Sequence, residues 1–287
     1  MQISTEEYQL FKPLLFSLGY RMLGSVVEAE DLVQETFLKA YLVNEDDIKN
    51  KKAYLCKMMT NLCLDLLKSA RHKRESYVGP WNPEPLMYEK ILAFDPSEII
   101  IQKEGLSIAY LRMMEHLTPD ERAILLLREV LDFPYSEIAT IIEKKEENCR
   151  KIFSRAKQTI ILAKGESLNY EKNKSIISRF IQAFQAQNMD DLLELVSGNV
   201  TLYSDGGGKV HAAVRPVISV PNVLALLYGV IKKAPEDFYF EVKNVNCQPA
   251  IIIYMNGKLQ SILSFNIREE KINEIYITMN PEKLPLL

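Results

Sequence analysis

The sequence predicts a multidomain protein: two all-α units first, then an α+β domain with a curved antiparallel sheet. Three observations carry that reading. Through the first 165 residues apolar side chains recur at three- and four-residue steps, the spacing that lines one helix face. Between Ser76 and Pro96 that periodicity fails amid scattered prolines. Past Gly165 short β-rich runs replace the helical stripes, and strands beside a few helices imply an α+β arrangement.

In chain order, Leu10, Leu14, Leu15, Leu18 and Met22 mark a first helix, which Gly24-Ser25 ends. A second is expected from Val27 to Val43. A third, from Lys51 to Arg74, has Tyr54, Leu55, Met58, Leu62, Leu66 and Leu67 as its buried stripe, which closes a helical domain over 1–76. Gly79, Pro80, Pro83 and Pro85 make 77–95 a stiff, extended linker, because proline fixes φ and donates no N–H. A second helical domain is expected over 96–165. Within it Thr118-Pro119-Asp120-Glu121 is a helix start with a Thr cap, Pro at the first helical position and the Glu of a capping box. Helices follow at Tyr135–Ile142 and Glu146–Ala163.

The last domain, 166–287, opens with helices at Glu171–Gln187 and Asp190–Val196. Strands are expected at Val200–Tyr203, Phe238–Val245, Ala250–Tyr254, Leu259–Ile267 and Ile272–Thr278, with one more helix after Pro221-Asn222. Asn256-Gly257 between two apolar runs is a two-residue hairpin signal, since both positions of a type I′ turn need positive φ.

Composition narrows the class. The 287 residues suit two domains or three small ones at about 150 per domain, and 47% hydrophobic content is enough to bury real cores. No basic region followed by an apolar stretch opens the chain, and no run approaches the roughly 20 apolar residues that cross a bilayer. A soluble, cytoplasmic protein with no membrane contact is expected. Cys56, Cys63, Cys149 and Cys247 form no CxxC pair, and the three histidines lie far from them, so neither a metal site nor a cofactor is expected.

A net charge of −3 argues against indiscriminate coating of nucleic acid. Yet basic residues concentrate at Lys49–Arg74 and Lys144–Lys157, two limited patches suited to a polyanion or, equally, two solvated helix faces. The helix-turn-helix at Tyr135–Ala163 favours the first reading. Its second helix turns Glu147, Asn148, Arg150, Lys151, Ser154, Arg155 and Lys157 outward, with Cys149, Ile152, Phe153 and Ala156 inward. Arg and Asn pair with guanine and adenine edges, and Lys suits phosphates.

Ala29-Glu30-Asp31-Leu32-Val33-Gln34-Glu35-Thr36-Phe37-Leu38-Lys39-Ala40-Tyr41 resembles the polymerase-binding helix of extracytoplasmic-function (ECF) sigma factors. Lys52-Ala53-Tyr54-Leu55 with Thr60-Asn61-Leu62-Cys63-Leu64-Asp65-Leu66-Leu67-Lys68 resembles the next helix of their sigma-two domain. Leu117–Lys157 resembles their sigma-four domain. The resemblance implies that Asp31, Gln34, Glu35 and Phe37 meet core RNA polymerase. It also implies that Lys57, Asn61, Asp65, Lys68, Arg71, Lys73 and Arg74 serve the minus-10 element of promoter DNA, and the helix from Glu147 to Lys157 the minus-35 element. Two departures stand out: Glu143-Lys144 replaces the usual Gly and apolar residue of the turn, and Pro134 replaces a capping Ser.

Trp81-Asn82-Pro83-Glu84-Pro85, Asp205-Gly206-Gly207-Gly208-Lys209 and Asn280-Pro281-Glu282-Lys283-Leu284 resemble three signatures of the sigma-J-like ECF group, which bears a fused SnoaL-like, NTF2-like domain. Asn82 departs from an apolar position. The glycines also suit a flexible hairpin tip, and the tail a frayed end. The only Trp, set in a Pro-stiffened linker, suits an interface anchor that a glycine loop can approach closely. The implied function is promoter-specific initiation without catalysis, autoregulated in cis by a last domain that holds sigma-two and sigma-four compact, with no separate anti-sigma factor required. The alternative is a DNA-binding module fused to a small-ligand sensor or an isomerase/cyclase-type enzyme. Such a pocket would take an unidentified small ligand, with Asp205 and His211 as acid and base candidates and Tyr203 and Tyr228 as donors. Asp205, beside three glycines, is then expected at an exposed loop.

Overall fold

The computed structural model describes residues 1, 3–44, 48, 50–75, 77–89, 106–162 and 169–285, with the side chains of 70–75 and 161–162 excepted. The expected linker end, 90–95, and the expected start of the second helical domain, 96–105, lie outside the described residues. The chain divides into two units: one holds 1–75 and 110–162, the other 77–89, 106–109 and 169–285.

The first unit contains α1 (Thr5–Leu23), α2 (Val26–Tyr41) and α3 (Lys51–Glu75). The Ser4 hydroxyl and the Glu7 carboxylate cap each other's backbone at the start of α1, and Gly24 ends it at φ 69°. Leu15, Leu18, Met22, Leu55 and Met59 are fully buried where these helices meet, whereas Leu10 is exposed. The short α4 (Ile108–Met114) then leads to α5 (Pro119–Glu129), α6 (Tyr135–Ile142) and α7 (Glu146–Leu162). Thr118 and Glu121 form the expected capping box, while Pro134 caps α6 with no side-chain bond.

Within this unit α1 and α3 pack on α5, and α3 packs on α6. The buried Arg122 of α5 donates to the Met22 carbonyl near the end of α1 and pairs with Glu115 at 3.0 Å. Burial lowers its pKa to about 10, so it stays charged at neutral pH. Lys57 of α3 meets Glu143 of the helix-turn-helix turn at 3.4 Å, and the Lys52 ammonium lies 5.2 Å from the Phe133 ring centre.

The second unit is built on α8 (Tyr170–Gln185), α9 (Met189–Leu195), α10 (Val220–Ile231) and strands β1 (Val196–Asp205), β2 (Val217–Ile218), β3 (Tyr239–Val245), β4 (Gln248–Met255), β5 (Lys258–Arg268) and β6 (Lys271–Thr278). The strand order is β2-β1-β6-β5-β4-β3. The sheet is mixed, not antiparallel throughout: β1 runs parallel to β6. Three successive hairpins fix the direction of β6, and the connection through α10 brings that meander in alongside β1. Ile177 and Phe180 of α8, Leu192 of α9 and Val223 of α10 share a buried cluster with Phe265 and Ile275 of the sheet. No helix among the described residues is long and apolar enough to cross a membrane.

Candidate nucleic-acid and regulatory sites

On α2, Asp31 and Gln34 are exposed, and Glu35 is half-buried and pairs with Lys39 at 2.8 Å. Phe37 does not reach out freely; its ring packs on Tyr8 at 4.6 Å between centres. The sequence reading missed Leu38 and Tyr41, 71% and 72% exposed, which continue the stripe of Asp31 and Gln34 at three- and four-residue steps. Exposed apolar residues at helical spacing beside carboxylates suit a protein partner more than water.

On α3, Lys57 is committed to Glu143, and Lys68 pairs with the exposed Asp65 at 3.5 Å. Asn61, one turn before Asp65, is half-buried. Arg71, Lys73 and Arg74 fall on the last turns of α3, and their side chains lie outside the described residues.

Along α7, Glu147, Asn148, Arg150, Lys151, Ser154 and Arg155 are exposed on one face, with Lys157 half-buried. Cys149 and Ala156 are fully buried, but Ile152 and Phe153 are only half-buried, so the inward stripe is narrower than expected. Phe153 instead packs edge-on against Tyr135 at 5.8 Å, and the same ring lies 4.4 Å from the Arg150 guanidinium. Glu146 holds Arg150 at 2.5 Å, Glu147 holds Lys151 at 2.7 Å and Glu129 holds Lys157 at 2.6 Å. Such exposed pairs are worth about 0–1 kcal/mol each, so phosphates can displace the carboxylates cheaply.

Glu143 ends α6 in the left-handed region at φ 57°, where the Lys144 N–H donates to the Ala139 carbonyl. A non-glycine residue there is strained by roughly 1–2 kcal/mol. Its carboxylate is what the position gains in exchange, because it reaches Lys57.

The second unit holds a different kind of site. Asp205 is completely buried, which corrects the exposed-loop expectation. β1 continues through it, and pairing with Thr278 of β6 draws it into the sheet. One carboxylate oxygen accepts from the Tyr77 hydroxyl at 2.6 Å and the Gly207 N–H at 3.1 Å. The other accepts from the Asn82 N–H and the Lys283 ammonium, both at 2.8 Å. Four donors on one buried carboxylate offset its desolvation.

The rest of the three motifs closes around that centre. Lys283 also donates to the Asn82 carbonyl at 2.7 Å and sits 4.2 Å from the centre of the Trp81 ring. Asn280 is buried; its amide donates to the Tyr77 hydroxyl at 3.0 Å, and its backbone N–H donates to the Asp205 carbonyl at 2.9 Å. Gly206, Gly207 and Gly208 form a tight turn rather than a loose tip, and a Cβ on Gly207 would lie 2.4 Å from the Asn280 amide. Lys209 pairs with Glu282. Pro83, Glu84 and Pro85 are buried with the linker, Pro281 is exposed, and Leu284 packs beside Met87 and Val245.

Asn82, the departure from an apolar position, is fully buried and donates its amide to the Ile277 carbonyl at 3.1 Å. Tyr77 and Asn246 went unnoticed in the sequence. Burial, and then the hydrogen bond to Asp205, push the Tyr77 hydroxyl well above its ordinary range. Asn246 accepts from the Leu86 N–H at 2.9 Å and donates to the Leu106 carbonyl at 2.7 Å, so one side chain holds the middle of the linker and the segment just before α4. Tyr203 stacks on Tyr276, Tyr228 stacks on Phe184, and His211 is exposed. Among the described residues no group of three His, Cys, Asp or Glu is placed to hold a metal ion.

Comparison with known proteins falls along these elements. Sigma-70 region 2 matches residues 8–73, and Sigma-70, region 4 matches residues 107–160. The chain is 30% identical to the ECF RNA polymerase sigma factor SigJ of Mycobacterium tuberculosis, covering 99% of this chain and 93% of that protein. It is 27% identical to the probable ECF RNA polymerase sigma factor SigI of the same species, covering 96% and 93% respectively. The crystal structure of M. tuberculosis SigJ superposes with a TM-score of 0.78 at 25% identity, over 99% of this chain and 100% of that one.

Proposed function

The chain belongs to the ECF RNA polymerase sigma factors, and from that premise we propose that its C-terminal domain restrains it in cis by seizing the linker between the sigma-two and sigma-four regions. The observation that carries this reading is the Asp205 centre, where linker, glycine turn and tail share one buried carboxylate. A sigma factor must spread its two DNA-reading regions to span two promoter elements. Each linker residue held down removes about 3.5 Å of the reach that spreading needs. The docking of 77–89 and the Asn246 clasp on Leu86 and Leu106 therefore favour the compact state.

Contacts inside the helical unit support the same state. Lys57, on the minus-10 helix, is occupied by Glu143 of the minus-35 reader, so the two regions satisfy each other in place of DNA. A tethered regulator works at effective concentrations around millimolar, so no separate anti-sigma factor is needed. On this reading the protein acts in the cytoplasm with core polymerase and promoter DNA. It is read as performing no catalysis of its own, and the Asp205 carboxylate, one of the acid and base candidates, is spent on four donors.

The test is transcription with core polymerase on a promoter library, comparing the intact chain with one ending at Thr278. The shortened chain, lacking Asn280 and Lys283, is expected to initiate more from the same promoters. Equal activity removes the tail from the mechanism.

A further inference from the structure

The second unit contains a cavity of about 620 Å³ that the linker contacts leave unused, a size within the range of small-molecule sites. Five Phe and Tyr rings line it: Phe180 and Phe184 of α8, Tyr228 of α10, Phe240 of β3 and Phe238 just before that strand. Phe184 and Tyr228 stack at 4.1 Å with their planes 8° apart, and the Tyr228 hydroxyl is tied back to the Phe184 carbonyl at 3.3 Å. That pair is a fixed flat wall, pre-organised for another ring.

Charge decides what fits. Among the described residues lining the cavity there is no Asp, Glu, Lys or Arg. An ion placed there would lose its hydration with no counter-charge to replace it. Polar partners are few: Ser204 and Ser261 within, and Gln185, Gln187 and His211, all three exposed. We propose that this cavity is a binding site for an uncharged, ring-bearing apolar molecule carrying one or two hydroxyl or carbonyl groups.

The site's position gives the binding a route to the linker. Ser204 and Met279 both line the cavity, and each directly precedes a residue of the Asp205 centre. The Met279 N–H donates to the Asp205 carbonyl at 2.8 Å, so an occupant presses on the two strands that hold the clamp. This consequence rests on the cis-restraint reading; the binding does not.

The test uses the full-length chain and two dyes of nearly the same shape: uncharged N-phenyl-1-naphthylamine and its sulfonated relative 8-anilino-1-naphthalenesulfonate. The uncharged dye is expected to bind saturably at one site, and the sulfonate about tenfold or more weaker. Ser261→Phe and Ala213→Phe, each placing a ring in the cavity, should weaken the uncharged dye about tenfold while the melting temperature is kept. If neither variant folds, hydrogen exchange of the unaltered chain answers instead, with dye-induced protection expected in α8, α10 and β3. Equal binding of the sulfonate, protection elsewhere, or dye binding that is lost as copies associate in sedimentation overturns the proposal. Absent dye binding would remove the site and leave cis restraint to the Thr278 truncation, which is read without any ligand.

Discussion

Among single residues, Asp205 and the hydroxyl of Tyr77 hold the linker to the last domain. That phenol's pKa is raised in the fold, so its contribution is whole below its ordinary value of about 10 and fades as pH climbs toward the folded value. Ionised, it would face the Asp205 carboxylate with no proton to share. Trp81, the lone tryptophan, reports on the linker alone. Its emission is expected to shift to the red above pH about 10 as the linker loosens. Lys283 faces the same carboxylate, so Tyr77→Phe separates the two groups: the variant should lack the tyrosine step. An unchanged titration in Tyr77→Phe would place the alkaline effect elsewhere. Much of this centre was legible beforehand, because Trp81, Asp205 and the Asn280 to Leu284 tail stand out by residue type and motif. Tyr77 and Asn246 were not, since a single polar residue beside a loop carries no periodic signal, and only the fold brings 77 and 246 to their partners.

At the scale of elements, the helices were readable where caps and stripes agree, as at Thr118 and Glu121. The hairpins were less so. Asn256-Gly257 announces its turn, but Asn246-Cys247 and Glu269-Glu270 make theirs with both φ values positive and no glycine. The pairing of their strands outweighs local preference. Glu143 is a similar case with a functional cost attached. Glu143→Gly relieves left-handed strain of roughly 1–2 kcal/mol and forfeits an exposed ion pair of about 0–1 kcal/mol. The variant should therefore melt no lower than the parent, be up to about 2 kcal/mol more stable, and initiate more readily because Lys57 is freed. A large drop in melting temperature would contradict that balance. On α2 the exposed Leu38 continues the Asp31 and Gln34 stripe, the face we propose for polymerase contact. Leu38→Asp should weaken core association by about tenfold without lowering the melting temperature, as its side chain makes little of the core. Undiminished association would take that stripe out of the interface.

At the scale of the whole molecule, the order of helical and α+β parts followed from where periodicity changes, but the mixed sheet did not. Strand direction is set by connections, and a parallel β1–β6 pair leaves the same alternating pattern as an antiparallel one. How the sigma-two and sigma-four helices meet was equally invisible, because Arg122 against the Met22 carbonyl and Lys57 against Glu143 join residues with no local relation. We propose that the clamped linker keeps those helices together. This is tested most directly by the distance between spin labels on Ser69→Cys of α3 and Gln158→Cys of α7, both exposed, while the four native cysteines are buried. The intact chain should give one short, narrow distribution, and Lys283→Met, which strips the charge from the Asp205 centre, should add a broad population at longer distance. Identical distributions in the two proteins would mean that the Asp205 centre does not hold the helices together.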